Sequence, residues 1–411
     1  MTAVAGALAS MVPGVRFTAY DGSTGGSGEI GMDVRSRRAL AHLISAPGEL
    51  GFARAYISGE LDLDAPSHLE ALRVLHRRKT ADLTVPERLH ALRILGREAL
   101  VPVTPPVQEV GAKRLVAGLV AHSRGRDAVA IAHHYDVSNH FYGWVLGPSM
   151  AYTCAVYDSD LTTLDEAQAS KFDLVCRKLD LQPGQRLLDV GCGWGGMVRH
   201  AAKHYGVRAL GVTLSAQQAE WAQKAVADDG LSDLVEVRHC DYRDVAEDGF
   251  DAISSIGLTE HIGIHNIPAY AVSLAGRLRP GGRLLNHCIT RRSVDVPPIS
   301  RRGFITRYVF PDGELPSVSE VVRELERSGL EVRHGENLRE HYARTCRAWC
   351  DNLDARWDEA VLEVGLGTAR VWALYLAGSA LGFERGEIQL HQVLAVKAPD
   401  GVAGFPLRPA F

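Results

Sequence analysis

The run RLLDVGCGWGG at residues 186–196 carries the strongest local signal in the chain. Leu187, Leu188 and Val190 make a short apolar strand that ends in a glycine-dense turn, and residues 197–205 continue with a helical pattern. Glycine suits such a turn for two reasons: it reaches positive φ, and without a Cβ it lets a ligand approach the backbone. Gly191, Gly193 and Gly196 also satisfy G-x-G-x-x-G, so a dinucleotide site has to be weighed. Two features point away from it. Asp189 stands immediately before the glycines, and the next strand, 208–213, ends in Thr213-Leu214-Ser215 with no acid to hold an NAD ribose. An acid in that place suits S-adenosylmethionine (SAM), whose amino group it can hold directly or through water, and no pyrophosphate needs neutralising. SAM is therefore expected rather than NAD.

Composition sets the outer limits. A chain of 411 residues is long for one domain and comfortable for two. With 46% apolar and 23% charged residues it can bury a sizeable core. A net charge of −4 does not advertise a nucleic-acid partner, and none is expected. Seven cysteines with no C-x-x-C pair argue against both a disulfide framework and a structural zinc, so no metal is expected. The N-terminus lacks a basic leader with a sustained apolar core, and no run of about 18 apolar residues offers a membrane span. The expected location is the cytoplasm.

Residues 1–102 read as a small α+β domain. Val15–Tyr20 and Ile30–Val34 are expected as strands of a hairpin around the Gly/Ser-rich turn 21–28. Helices are expected over 38–45, 51–57, 67–77 and 89–100, the third with Leu69, Leu72, Val74 and Leu75 on one face. VPVTPPV at 101–107 introduces a linker over 103–112, and 113–411 follows as the second domain. Here an amphipathic helix at 164–179 leads into the glycine loop, and segments 133–139 and 150–157 are expected to cap the site. The adjacent histidines His133 and His134 point in different directions on a helix and make a poor metal pair. Beyond the loop, strands at 208–213, 235–239, 250–256 and 283–289 alternate with helices at 215–228 and 266–278. This rhythm implies an open, mainly parallel, Rossmann-like sheet with ligands beyond the carboxyl ends of its strands. Asp189, Thr213, Tyr242, Glu260 and His287 each lie at or just after a strand end, and so are expected to meet in one crevice.

These residues fall in motifs that resemble the cyclopropane-fatty-acyl-phospholipid synthases and mycolic acid methyltransferases. The matching pieces, in order, are HHYDVSNHFY (133–142), YTCAVY (152–157), the glycine loop, GVTLSAQQ (211–218), CDYRD (240–244), TEHIG (259–263) and LNHCI (285–289). YVFPDGELPSV (308–318), HYARTCRAW (341–349) and IQLHQV (388–393) complete the set, and GELGFARAYISGELDL (48–63) is similar to the N-terminal domain of the longer synthases. The resemblance implies a SAM-dependent methyltransferase fold and transfer of a one-carbon unit to the double bond of an unsaturated phospholipid acyl chain. It implies that Tyr152, Thr153, Gly191, Gly193, Thr213, Gln218 and Tyr242 contact SAM, beside Asp189 read from the turn itself. Cys154, Glu260, His287, Ile289 and Tyr342 match the family's cluster around a bicarbonate ion. In the family's mechanism the alkene attacks the sulfonium methyl, a carbocation forms, and bicarbonate removes a proton. Singly, each of these residues also has an ordinary structural reading: a helix cap for Glu260, a satisfied core histidine, a packed tyrosine, an inert buried thiol.

The chain departs from the family pattern at three places. Thr259 stands where Phe usually precedes the glutamate, Ser379 where many synthases carry a cysteine, and LNHCIT replaces LLHTIG, which sets Asn286 and Cys288 beside the base cluster. The product thus stays open between a cyclopropane and a methylene-branched (10-methylene) chain, the latter made by similar actinobacterial proteins. Two other readings are a methyltransferase of a soluble acceptor and a SAM-binding subunit without turnover. A lipid substrate implies peripheral contact with the inner face of the membrane, for which Arg291, Arg292, Arg301, Arg302 and Arg307 form a basic stretch. The N-terminal domain is expected to dock on lipid or on a partner, which includes a second copy of the chain.

Overall fold

The computed structural model describes residues 4–77, 86, 89, 93, 103–109, 138–297 and 303–411. Apart from residues 89 and 93, the helix expected over 89–100 lies outside the described residues, as does the histidine pair at 133–134. Where the sequence suggests a sequential division at 103–112, contacts group the chain into two units that are each discontinuous. The first takes Met1–Ala117, Ser300–Pro311 and Cys346–Leu381; the second takes Gly118–Ile299, Asp312–Thr345 and Gly382–Phe411.

In the first unit, β1 (Val15–Ala19), β2 (Thr24–Gly25), β3 (Ile30–Val34) and β4 (Leu61–Asp64) form a sheet in the order β2-β1-β3-β4. Alternate residues of β1 are buried, and Val15, Phe17, Val34 and Tyr56 belong to its core. The expected hairpin between β1 and β3 is not formed: the two are parallel, and the antiparallel partner of β1 is the short β2. The chain must then cross the start of β1 to reach its other side. It does so at Gly28, where a Cβ would sit 1.9 Å from the Gly14 carbonyl oxygen, so only glycine permits the crossing. Arg37–Ser45, Glu49–Ile57 and His68–Arg77 are the helices the periodicity predicts, to within two residues.

The second unit is built on seven strands in the order β10-β11-β9-β8-β5-β6-β7. Strands β5 (Arg186–Val190), β6 (Arg208–Thr213), β7 (Val235–His239), β8 (Phe250–Ile256) and β9 (Leu278–Arg291) run parallel. To these, β10 (Glu331–Asn337) and β11 (Ile388–Val396) add an antiparallel edge, with β11 paired to β9. This mainly parallel sheet has helices on both faces. Leu164–Leu179, Gly196–Tyr205 and Ala216–Asp228 close one core, while Ile267–Arg277 and Val318–Arg327 close the other. Helix 164–179 starts at a capping box in which Thr163 and Glu166 satisfy each other's backbone N–H groups. Its buried face carries Phe172, Val175 and Leu179, and also Gln168, Lys171 and Lys178.

Candidate active site

Strand β5 delivers Asp189 and Val190 to the turn, where Gly191 takes φ +78° and a Cβ would press on Leu258 at 3.3 Å. The turn opens one wall of a cavity. Tyr152, Thr153, Asp189, Gly191, Gly193, Thr213, Gln218 and Tyr242 all line it, so the eight residues singled out for the cofactor converge. Their placement follows from local bonding. Ser215 caps helix 216–228 by accepting from the Gln218 N–H, and the Thr213 hydroxyl donates to Gln218 Oε1 at 2.8 Å. This fixes the end of β6. On the other wall, Gln168 Nε2 donates to the carbonyls of Ala151 (3.3 Å) and Thr153 (2.9 Å), which holds the capping segment against helix 164–179.

Asp189 is the buried acid of the cavity. The Ser254 hydroxyl donates to its carboxylate at 2.6 Å, and burial pushes its pKa up to about 6 against that bond and the nearby Lys171. Lys171 also lines the cavity and donates to Thr153 Oγ1 at 3.0 Å, while burial brings its pKa down to about 7. Sequence reasoning missed it. The available signal was a pair of lysines, 171 and 178, seven residues apart on the apolar stripe of one helix, where a solvated charge has no reason to stand. The donor set fits SAM: an acid at the turn, hydroxyl and amide groups at the end of β6, apolar and aromatic walls, and no acid at β6 to take a ribose in the NAD manner.

The residues of the second cluster do not line this cavity; the expected single crevice holds Asp189, Thr213 and Tyr242 but not Glu260 and His287. Glu260 is instead drawn to β9, where Oε1 accepts from the Ile289 N–H at 2.6 Å. Its other oxygen, Oε2, is buried without a partner. Two residues back on the same face of β9, His287 is 1% exposed; Nδ1 meets Gln392 Nε2 at 3.1 Å, and Nε2 is buried without a partner. Burial raises the Glu260 pKa to about 7 and, helped by Lys171 and Lys178, holds His287 well below the usual imidazole range. The cluster adjoins the cavity through the chain itself. Gly257, which lines the cavity, donates its N–H to the His287 carbonyl at 2.8 Å, and Cys154 follows Thr153. Cys154 and Tyr342 are tied to one atom: the Leu338 carbonyl accepts from the Cys154 thiol (3.7 Å) and from the Tyr342 N–H (3.0 Å). The Tyr342 ring stacks on Phe383 at 4.4 Å. Burial raises the Cys154 thiol well above its ordinary pKa, so it stands as a neutral thiol.

The residues around the base cluster and in the basic stretch are placed as follows. Asn286 and Cys288 neighbour His287 in sequence but face the opposite side of β9. There Asn286 Oδ1 accepts from Thr259 (2.8 Å) and Tyr270 (2.7 Å), and its amide donates to Cys288. Period-two alternation turns both side chains away from that of His287, while Cys288 stays near enough to Glu260 for that carboxylate to push its thiol pKa up further. In the basic stretch, Arg291 makes a two-point ion pair with the carboxylate of Glu320 at 2.8 and 2.9 Å, and Arg307 pairs with Glu109 at 3.6 Å. Arg292 is exposed, and Arg301 and Arg302 lie outside the described residues. Among the described residues no group of His, Cys, Asp and Glu is arranged to hold a metal ion, and no helix is long and apolar enough to cross a membrane.

An open sheet with a glycine turn after the middle of its five parallel strands, an acid before the turn and a hydroxyl–amide pair at the next strand defines a SAM-dependent methyltransferase. Comparison with known proteins narrows the class. The chain belongs to the mycolic acid cyclopropane synthetase family, whose sequence model matches residues 122–393. It is 54% identical over 407 residues to a "Probable fatty acid methyltransferase" of Mycobacterium tuberculosis, spanning 96% of this chain and 94% of that one. The cyclopropane-fatty-acyl-phospholipid synthase of Escherichia coli is 35% identical over 272 residues, 66% of this chain and 69% of that protein. The solved structure of a mycolic acid cyclopropane synthase complexed with SAH and CTAB superposes with a TM-score of 0.62 at 33% identity, covering 66% of this chain and 98% of that one.

Proposed function

We propose that the protein transfers a one-carbon unit from SAM to the double bond of an unsaturated phospholipid acyl chain, giving a cyclopropane or a methylene-branched chain. The observation that carries this reading is the pair of buried, unpartnered polar atoms, Glu260 Oε2 and His287 Nε2, beside a SAM-type cavity. An unpaired buried polar atom costs about 1–3 kcal/mol, so two such atoms on residues tied to adjoining stretches of β9 favour a small polar guest. Bicarbonate fits them as the base for the proton lost from the substrate, with Cys154, Ile289 and Tyr342 closing the site. When bound, SAM supplies an electrophilic methyl group on a sulfonium centre. Asp189 holds its amino group, Tyr152, Thr153, Gly191 and Gly193 shape its seat, and Thr213, Gln218 and Tyr242 close the far wall. The Tyr342 ring offers a π face to a cationic substrate, worth about 0.5–2 kcal/mol. A buried, water-poor site suits the reaction because an alkene is a weak nucleophile and water would quench its cation. The long alkyl chain of CTAB in the related synthase accords with an acyl substrate. The first unit is assigned to docking, and the enzyme to the inner face of the membrane as a peripheral protein.

The test is a product assay with purified protein, SAM, bicarbonate and vesicles of mono-unsaturated phospholipid. A gain of one CH2 per released acyl chain is expected by mass spectrometry. Hydrogenation under conditions that spare a cyclopropane then separates the products, since only a methylene branch takes up hydrogen. No mass gain with SAM binding intact rejects the reading and points to a soluble acceptor.

A further inference from the structure

Three adjacent strands place Glu336, Gln392 and His287 in one row across the sheet, since Glu336 lies opposite Gln392 and Gln392 opposite His287 in the strand registers. Above the row, helix 164–179 lowers Lys178, whose side chain is 1% exposed, onto it. Lys178 Nζ donates to Glu336 and, at 2.7 Å, to Gln392 Oε1, while Gln392 Nε2 meets His287 Nδ1 at 3.1 Å. Gln392 has no measurable exposure.

We propose that Lys178 and Gln392 are positioning residues that lock His287 as its Nε2–H tautomer, so that the imidazole meets the reacting site as a hydrogen-bond donor. The inference rests on the site reading of the preceding section for what His287 faces, but its logic is local. An ammonium has donors and no acceptor, so the Gln392 atom it touches must be the amide oxygen. The amide nitrogen is then turned to His287 and can only donate, which requires Nδ1 to be the acceptor. In a neutral imidazole the proton therefore sits on Nε2, the atom without a protein partner. The opposite amide orientation would set the Lys178 protons against an NH2 group in a buried place. Glu336 completes the chain by compensating the Lys178 charge and keeping it a donor. Two consequences follow. His287 orients the small anion by giving it a hydrogen bond and does not take the substrate proton itself. Specificity for an acceptor guest is written in residues 109 and 105 positions away in sequence from His287, neither of which need touch the guest.

The decisive variant is Gln392→Glu, which keeps shape but replaces the donor by an acceptor and so draws the His287 proton to Nδ1. The full-length protein labelled with 15N-histidine reports the tautomer by NMR, with the His287 signal identified by its loss in His287→Asn. We expect Nε2–H in the parent and a protonated Nδ1 in Gln392→Glu. With SAM, bicarbonate and dioleoylphosphatidylglycerol vesicles, kcat should fall by on the order of 100-fold in this variant with the KM for SAM unchanged, less than the roughly 10,000-fold lost when a wrong-tautomer imidazole is itself the base. Gln392→Met, which imposes no tautomer, should retain more activity than Gln392→Glu. Simple packing predicts the reverse order, and that result would overturn the proposal, as would Nδ1–H in the parent. If Gln392→Glu does not fold, Lys178→Gln is the second variant: it releases the amide, and a mixed tautomer signal is expected where an unchanged one refutes the role of Lys178. The spectra need no lipid, so an inactive parent would reject the proposed substrate without touching this result.

Discussion

Glu260 is ionised at a cost. Its pKa of about 7 lies above the ordinary glutamate value because burial outweighs the single Ile289 N–H bond. Between about pH 4.5 and 7 the folded protein therefore holds a proton that the unfolded chain has released, and stability contributed by that proton is lost as pH rises through this window. Glu260→Gln removes the effect. Urea unfolding should show the variant equal to the parent near pH 4.5 and more stable by on the order of 3 kcal/mol at pH 8, while methyl transfer falls by at least 100-fold. Equal stability at both pH values would mean that the carboxylate is better solvated than its position implies. For Asp189→Asn, titration calorimetry should show SAM affinity reduced by about 10-fold or more through the loss of one charge-assisted bond, corresponding to about 1.5–3 kcal/mol; unchanged affinity would remove the acid from the cofactor site. Asp189, Gly191, Gly193, Thr213 and Tyr242 were legible because each ends a strand or lies just after one, whereas Tyr152, Thr153 and Gln218 came from the family motifs. Lys178 and Gln392 were not legible, since their meaning comes from a row across β10, β11 and β9 that the linear order hides.

Helix 164–179 is the element on which both halves of the site lean, holding Ala151 and Thr153 through Gln168 at one end and the Gln392 amide through Lys178 at the other. Its start depends on the Thr163–Glu166 capping box, and Thr163→Ala should cost about 1 kcal/mol in a thermal or urea melt with little change in the KM for SAM. A large shift in KM without loss of stability would place Thr163 in the site instead. At this scale the sequence reads well where an apolar run meets a glycine turn or an N-cap: β6, β7, β8 and helix 164–179 fall on the expected residues. It reads poorly where pairing depends on the path of the chain. Nothing local distinguishes β3 as a parallel neighbour of β1 rather than its hairpin partner. Strand β10 alternates between exposed and half-buried residues, with Glu331, Arg333 and Glu336 in its length, and so gives no apolar signal.

For the molecule as a whole, the charge available to a membrane is smaller than the sequence suggests. With Arg291 and Arg307 engaged by Glu320 and Glu109, Arg292 is the exposed arginine of the stretch among the described residues, worth about 1 kcal/mol at an anionic surface. Co-sedimentation should show Arg292→Gln weakening binding to anionic vesicles and leaving stability intact. Arg291→Gln should do the opposite, because it leaves Glu320 half of a buried pair, with a loss of about 1–3 kcal/mol in the melt and vesicle binding unaltered. Equal loss of vesicle binding in both would reinstate the whole stretch as the contact. The alternation along β9 has a further consequence for how this enzyme can change. The Asn286 side chain answers to Thr259, Tyr270 and Cys288 and that of His287 to Gln392, while Glu260 accepts from the backbone N–H of Ile289 and its charge reaches Cys288. One strand thus gives Asn286 and His287 separate partners, and an exchange at Asn286 alters firmness without altering what reacts. Replacing Asn286 by Leu should move the melting temperature and leave the product unchanged, so that the choice between ring and branch is to be sought around His287 and the residues it answers.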